Sequence, residues 1–130
     1  MAYNQKSGLG NAASYEVSGV PFASGGLDST GTSALKIEFP YVTRWITINN
    51  HDSDQDLKCA FSENGLNGSN YFLIEDVGSG AIATTHTVRM ELKVNEMWFT
   101  GSADFDVVAG LTGIEREYIP DNWSGSIGVG

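Results

Sequence analysis

The sequence predicts an all-β protein, an antiparallel β-sandwich of about eight strands, from three observations. Residues 88–94 alternate apolar and charged side chains, and this period of two is typical of a half-buried strand. Weaker alternation recurs about every ten residues, with no helical period. Sixteen glycines supply many tight turns. This spacing favours a sandwich, jelly-roll-like in plan, over a closed up-and-down barrel, although spacing alone does not separate the two.

Eight strands are predicted in order along the chain. They cover residues 15–22, 34–39, 41–49, 57–62, 70–74, 86–94, 97–100 and 105–109. Turn-forming residues separate them, among them Ser24-Gly25-Gly26, the polar run 49–56 and Asn64-Gly65. Apolar residues two apart in these strands give the predicted core: Leu35, Ile37, Phe39, Leu57, Cys59, Phe61, Phe105, Val107 and Ala109.

The sequence divides into one sandwich domain, residues 15–117, between two segments without strand periodicity. Residues 1–14 are rich in Gly, Ala, Ser and Asn, and residues 118–130 contain Pro120, Trp123 and three glycines. We expect both segments to be extended arms that become ordered on a partner. About 100 residues suffice for a core without disulfides.

Composition excludes several function classes. The formal net charge of −9 repels phosphate backbones, so we expect no nucleic-acid binding. Residues 1–7 contain no apolar signal region and no window has the length of a membrane span, so we expect a soluble protein made in the cytoplasm without membrane contact.

The sequence contains no recognisable combination of nucleophile, base and metal ligands. We therefore predict a non-enzymatic protein without a cofactor. Cys59 is the single cysteine and falls on a predicted buried face, where a thiol is inert. His51 and His86 have no acid-base partner near them in sequence and are expected at the surface. Residues 8–13 resemble a dinucleotide-binding glycine motif, but neither a strand before nor a helix after them is predicted.

One acidic run bears on metal binding. Asp52, Asp54, Asp56 and Glu63 reproduce the acidic positions of a calcium loop. Leu57 occupies the position at which such a loop needs glycine for its sharp turn. We therefore predict no metal site and interpret the run as a solvated acidic turn, with these four residues as the calcium alternative.

Aromatic residues provide the candidate interface. Tyr71 and Phe72 are adjacent, as are Trp98 and Phe99, so in each pair one ring must point away from the core. An apolar second face predicts another layer, which is a loop, an arm or a neighbouring subunit. Ordinary core packing and a sugar-stacking platform are the alternatives for these residues. The candidate interface residues are Tyr3, Leu9, Trp45, Tyr71, Trp98 and Trp123.

Several short stretches carry a resemblance to a class of known proteins. They are the Gly- and Ala-rich leading segment, Val20-Pro21-Phe22, Phe39-Pro40-Tyr41-Val42-Thr43, Asn70-Tyr71-Phe72, Glu91-Leu92-Lys93-Val94 and the run 106–112. In the order of these stretches and of the predicted strands, from residue 15 to residue 111, the chain resembles the small all-β structural proteins of double-stranded DNA viruses and tailed bacteriophages. The resemblance is in particular to head decoration or cement proteins and to single jelly-roll capsid components. None of the stretches is a diagnostic motif, so no functional residue is carried over.

The resemblance implies a virion structural protein on the capsid surface, made in the host cytoplasm. Its expected partners are the major capsid protein and copies of itself, as a homo-oligomer or assembled on the capsid, with the two arms as clamps. The alternative is a carbohydrate- or receptor-binding β-sandwich that stacks sugars on Trp45, Trp98 or Trp123. A small β-barrel enzyme is the third and weakest hypothesis.

Overall fold

The computed structural model describes residues 19–78 and 86–118, and these form eight strands. Their bounds are β1 Val20–Leu27, β2 Leu35–Glu38, β3 Tyr41–Asn50, β4 Leu57–Ala60, β5 Tyr71–Ile74, β6 Thr87–Met90, β7 Glu96–Thr100 and β8 Phe105–Glu115. A one-turn helix, α1 (Glu63–Asn67), follows β4, and a 3-10 turn, Arg116–Tyr118, follows β8. The predicted arm 1–14 and all of the arm 118–130 except Tyr118 lie outside the described residues.

The strands form two four-stranded antiparallel sheets, which confirms the predicted all-β sandwich. Sheet A has the order β1-β8-β3-β6 and sheet B the order β2-β7-β4-β5. Strand β1 pairs with β8, β2 with β7, β3 with β6 and β4 with β5. These nested pairs describe one long hairpin rolled over on itself, and that arrangement is an eight-stranded jelly roll.

The core lies between the sheets and follows the predicted alternation. Seven of the nine predicted core residues are buried: Ile37, Phe39, Leu57, Cys59, Phe105, Val107 and Ala109. Leu35 and Phe61 are half-buried and pack against this cluster. The Cys59 side chain is fully buried, and burial raises the pKa of its thiol.

Strand β1 differs from its prediction. The predicted strand began at residue 15, outside the described residues, and stopped at Phe22, whereas β1 continues to Leu27. Ser24-Gly25-Gly26, the predicted turn, is instead an irregularity within the strand, where the register with β8 shifts between Ser24 and Leu27. Gly26 has a φ of 62°, which favours glycine, and its N–H donates to Asp106 Oδ1 at 3.0 Å.

The alternating stretch 88–94 is strand only as far as Met90, so the predicted strand 86–94 is too long. Residues 91–95 connect β6 in sheet A to β7 in sheet B. The buried Thr43 holds this connection: its Oγ1 donates to Leu92 O at 2.6 Å and accepts from Val94 N at 3.1 Å. One side chain thus replaces part of the ladder that the alternation predicted.

Strand β4 ends at Ala60, two residues before its predicted end, because Ser62 begins a helix. The Ser62 hydroxyl accepts from Gly65 N at 2.9 Å and caps α1. The sequence predicted turns around Asn64-Gly65, and the structure has one helical turn there. Within residues 19–78 and 86–118, no helix has the length and apolarity to span a membrane.

The nested pairing gives the sandwich two different ends. At the loop end lie residues 28–34, 51–56, 75–78 and 101–104, which follow β1, β3, β5 and β7. At the arm end, β1 begins opposite Leu111, whose carbonyl accepts from Gly19 N at 2.7 Å, and β8 continues four residues farther to Glu115, which pairs with Tyr41. Residues 1–18 and 119–130 therefore both join the sandwich at the arm end.

Replacing Thr43 by Val tests the connection between the sheets. Valine keeps the branched shape but leaves Leu92 O and Val94 N without their side-chain partner, so we expect a loss of about 2 kcal/mol in the free energy of unfolding. Urea unfolding measures the loss. Thr47→Val is the matched control, because Thr47 lies half-buried on the outer face of β3, and its effect should stay within about 0.5 kcal/mol. Equal effects of the two substitutions would contradict the role of Thr43.

Candidate functional site

A buried asparagine organises the loop end. The Asn50 side chain is fully buried, and its Nδ2 donates to the carbonyls of Gln55 and Ile74, both at 3.1 Å, and of Glu75 at 3.3 Å. Its Oδ1 accepts from Ser102 Oγ at 2.8 Å and from Asp52 N at 3.2 Å. One amide therefore joins the loops after β3, β5 and β7.

The loop after β1 joins the same network through a serine pair. Ser29 Oγ donates to Ser102 O at 2.9 Å and accepts from Ser102 N at 3.1 Å, and both residues are buried. Gly101, between the network and β7, has a φ of 101°, and a Cβ there would lie 2.7 Å from Asp56 O. The loop end is thus a rigid, polar platform.

The acidic residues of the calcium alternative do not form one site. Asp52 Oδ1 accepts from Asp54 N at 2.9 Å and Gln55 N at 3.2 Å, and Oδ2 accepts from Ala103 N at 2.8 Å. Asp56 Oδ1 accepts from Asp76 N at 3.0 Å, and Glu63 lies in α1, beyond the opposite end of β4. In the part of the chain that the structure describes, no three His, Cys, Asp or Glu side chains gather as metal ligands would.

A histidine and an aspartate meet at the rim of the loop end. His51 Nε2 lies 2.6 Å from Asp106 Oδ2, while Asp106 Oδ1 accepts from Gly26 N. Partial burial raises the pKa of Asp106, but the hydrogen bonds from His51 and Gly26 together lower it by more. The net shift of the Asp106 pKa is therefore downward. The pair links β1, β3 and β8 but includes no nucleophile.

The outer face of sheet A carries Trp45. Its ring stacks under the Arg89 guanidinium, 4.6 Å from the ring centroid, and Glu91 lies within 3.5 Å of Arg44 and 3.7 Å of Arg89. Trp45 is half-buried and pairs across the ladder with Gly110. Beside it is a shallow hollow of about 210 Å³ lined by Ala23, Ser24, Gly25, Asp106 and Val108. The cation on Trp45 leaves less of its ring for stacking than an open sugar platform needs.

The outer face of sheet B carries a second group of aromatic side chains. We call it the Trp98 face; it consists of Lys36, Lys58, Ala60, Tyr71, Leu73 and Trp98. Trp98, Ala60 and Tyr71 form one row across three strands, and Ala60 between the rings is fully buried. Tyr71 is 41% and Leu73 54% exposed, so the row continues into the most exposed apolar side chains of β5, an edge strand.

Charged groups border the Trp98 face. The Lys58 ammonium lies 4.1 Å from the centroid of the Tyr71 ring, and the Lys36 ammonium 5.3 Å from that of Trp98. Trp98 Nε1 donates to Glu96 Oε2 at 2.7 Å, and Glu96 is only 4% exposed. Lys36 Nζ lies 3.5 Å from Glu96, which places a buried carboxylate between a lysine and an indole.

Arg116 connects this border to the last described residues. Its Nη1 donates to Glu38 Oε2 at 2.9 Å, and Nη2 lies 3.9 Å from Glu96 Oε1. Asn95 Nδ2 donates to Arg116 O at 3.0 Å. After β8 of sheet A, the last described residues therefore lie against β2 and β7 of sheet B.

Of the six candidate interface residues, the structure brings together Tyr71 and Trp98. Their neighbours Phe72 and Phe99 point into the core, as the alternation predicts. Trp45 lies on the other sheet, and Tyr3, Leu9 and Trp123 lie outside the described residues. Sequence reasoning missed Leu73 and Lys58, although Leu73 shares the strand face of Tyr71 two residues away.

Comparison with known proteins adds no identity. No protein-family model, no curated protein and no solved structure gives a significant match to this chain. Function is therefore inferred from the fold and from the surfaces of the sandwich.

Replacing Asn50 by Ala tests the loop-end network. The change removes three donated and two accepted hydrogen bonds of a fully buried side chain, so we expect a loss of about 3 kcal/mol in the free energy of unfolding. Asn67→Ala, in the exposed last residue of α1, is the control and should change stability by about 0.5 kcal/mol or less. A loss in N50A no larger than in N67A would refute the network.

The pH dependence of stability tests Asp52. Hydrogen bonds from Asp54 N, then from Ala103 N, lower its pKa below the ordinary 3.8. A lowered folded-state pKa stabilises the fold above the unfolded-state pKa, and this contribution is lost as pH falls through the folded-state pKa. We expect the stability difference between the wild type and Asp52→Asn to shrink from about pH 6 to about pH 3 in urea unfolding.

The control for this pH series is Asp54→Asn. It removes the same charge from the same loop, but the Asp54 carboxylate accepts from the neighbouring Ser53 hydroxyl rather than from distant backbone. At the highest pH of the series, D54N should therefore cost less stability than D52N. A D52N difference that stays constant over the series would show that the Asp52 carboxylate does not hold the loop.

Proposed function

We propose that this chain is a non-enzymatic virion structural protein, a capsid decoration or cement protein that binds and stabilises the shell through its terminal segments. The observation that carries the proposal is the nested jelly roll, in which the described chain begins and ends at the arm end. Jelly rolls build viral capsid and lectin domains, among others. Because one fold hosts many functions, the surfaces of the sandwich must support the same role.

The positions of the first and last described residues support clamping. The described chain begins at β1 and ends after β8, both at the arm end, so the segments that precede and follow it start on the same side of the sandwich. Two weak contacts from one rigid body reinforce each other through effective concentration. A shell with many copies of its subunit offers such paired contacts repeatedly.

The charge distribution supports an outward orientation. Eight acidic residues lie in the loop-end loops or at the start of β8: Asp28, Asp52, Asp54, Asp56, Glu75, Asp76, Asp104 and Asp106. A protein bound by its arm end would direct this acidic platform away from the shell. Such a surface repels nucleic acid and keeps neighbouring particles apart. The proposed partners are thus the major capsid protein and copies of this chain, on the capsid surface.

The chemistry of the described residues also supports a non-catalytic role. The Cys59 thiol is fully buried with a raised pKa, and a thiol of that kind is a poor nucleophile. The His51 imidazole contacts Asp106, and within residues 19–78 and 86–118 no hydroxyl or thiol that it could activate is bonded to it.

Co-assembly tests the function. The full chain is mixed with shells built from the major capsid protein of the same genome and sedimented through a density gradient. We expect the full chain to sediment with the shells and to raise their disassembly temperature. A full chain that stays at the top of the gradient would overturn the capsid role.

Deletion variants test the clamp separately. A chain without residues 1–14 and 119–130 should keep the circular dichroism of the sandwich but lose sedimentation with the shell. Thr47→Val, which leaves both segments intact, serves as the control and should sediment like the wild type. Retained association after both deletions would overturn the arm mechanism while leaving capsid binding in place.

A second candidate is a carbohydrate- or receptor-binding sandwich, favoured by one observation. Tyr71 and Trp98 lie in one row across the fully buried Ala60. The Lys58 ammonium lies 4.1 Å from the Tyr71 ring, whereas Lys36 lies 5.3 Å from the Trp98 ring, farther than Arg89 lies from Trp45. Tryptophan fluorescence titrated with polysaccharides should then respond in the wild type and not in Tyr71→Ala. A flat response across a broad panel would weigh against this candidate.

A further inference from the structure

We propose that two copies of this chain pair through strand β5, edge to edge and antiparallel, about a two-fold axis at Leu73. This goes beyond the capsid role, because it names a contact between copies that uses neither terminal segment. Three observations lead to it. They are an edge strand without charge or proline, exposed apolar side chains along that strand, and two opposite charges beside it that have no ion-pair partner among the described residues.

Strand β5 is the edge strand of sheet B beside β4. In the described part of the chain β4 is its strand partner, and no described strand pairs with its other side. Its four residues, Tyr-Phe-Leu-Ile, include no charge, no proline and no glycine. Natural proteins usually protect such an edge, because the unpaired backbone groups of a strand recruit another strand.

The other three edge strands carry such protection. Strand β1 contains Pro21 and the irregularity at Gly26. Strand β2 presents Lys36 and Glu38, which form an ion pair at 3.1 Å, and β6 presents Arg89. Charges, proline and irregular strands are the usual means of blocking edge pairing. Of the four edges, β5 is therefore the one suited to accept a further strand.

The alternation within β5 limits how a second copy can pair with it. Directly opposite residues of two antiparallel strands share a face, so outward residues must lie opposite outward residues. Tyr71 and the 54% exposed Leu73 point outward, whereas Phe72 packs against the core. Two copies meet this condition when Leu73 lies opposite Leu73 of the second copy. Phe72 then lies opposite Ile74 of the second copy, and Tyr71 lies opposite Glu75.

Charge complementarity selects this register. The Lys58 ammonium lies 4.1 Å from the centroid of the Tyr71 ring, and neither Lys58 nor the exposed Glu75 has an ion-pair partner among the described residues. Pairing at Leu73 brings Glu75 of the second copy to this ring and ammonium, twice by symmetry. A register centred on Phe72 would also match the faces, but it would place Glu75 opposite Ser69 instead.

The net charge favours the antiparallel arrangement. Each copy carries a net charge of −9, so two copies must keep their acidic surfaces apart. Antiparallel pairing of β5 points the two acidic loop ends in opposite directions, whereas a parallel arrangement would bring them together. The two arm ends then also point in opposite directions. A shell surface can contact only one of them, so we expect the pair in the free protein.

Cross-linking tests the axis in the full chain. Leu73→Cys places two thiols opposite each other, whereas the native Cys59 is buried with a raised pKa and sets the background. We expect a short bis-maleimide to join this variant into covalent dimers with about tenfold the yield of Val108→Cys. Val108 is the matched control, because it is also an exposed apolar residue but lies on β8, inside sheet A.

Charge exchange tests the register. Lys58→Glu and Glu75→Lys each bring like charges together, and each should raise the dissociation constant of the dimer about tenfold in sedimentation velocity. The double variant restores opposite charges and should return the constant to within about threefold of the wild type. Glu115→Lys changes the net charge as Glu75→Lys does, but it lies at the exposed end of β8 and should leave the constant unchanged.

Four results would overturn the proposal. A four-residue edge is small beside the about 1,600 Å² of a standard interface, so the dimer is weak, but a wild type still monomeric at about 1 mM excludes it. A trimer or larger assembly excludes the two-fold axis. Equal cross-linking of Leu73→Cys and Val108→Cys removes Leu73 from the contact, and a double charge variant without recovery refutes the register. These measurements use no shells, so the pairing and the capsid role fail separately.

Discussion

The antiparallel pairing of β3 with β8 is the constraint on which the rest of the structure depends. It runs from Asn50 opposite Phe105 to Tyr41 opposite Glu115, between the two longest strands. Because β8 also pairs with β1 and β3 with β6, this contact fixes all of sheet A. It also sets the two ends of the molecule, since Asn50 closes the ladder at the loop end and Arg116 leaves it at the arm end. The buried hydrogen-bond network of Asn50, Ser29 and Ser102 then lies at one end, and the described chain begins and ends at the other.

The two outer faces differ because their strands carry different cross-strand neighbours. On sheet A, Trp45 meets Arg89, which is itself balanced by Glu91, so aromatic surface and charge are satisfied within the sheet. On sheet B, the aromatic row contacts Lys36 and Lys58, and among the described residues Lys36 alone of the two is paired with carboxylates. Both sheets expose large apolar side chains, Val20, Tyr41 and Val108 in sheet A and Tyr71 and Leu73 in sheet B, so the faces differ in how their aromatic rings are paired with charge.

Local alternation was sufficient to predict the sandwich and most of its core, and it failed where a distant side chain decides the backbone. Leu57 and Cys59 are buried as a period of two requires. The same period in residues 91–94 belongs to a connection, because Thr43, about 50 residues earlier, takes the hydrogen bonds that a strand neighbour would take. The sequence predicted a turn at Gly25-Gly26. In the structure Gly26 stays within β1, where its N–H donates to Asp106 on β8 and the strand register shifts.

The candidate surfaces were predictable to the same extent: which ring of each adjacent pair faces outward follows from the alternation, but which outward residues share a sheet does not. That depends on strand order, which placed Trp45 apart from Trp98. On sheet B this order places Tyr71 across Ala60 from Trp98, whereas on sheet A it places Trp45 beside Arg89. Each of these neighbours comes from a pairing between residues far apart in the chain, and a local period of two carries no information on which strands pair.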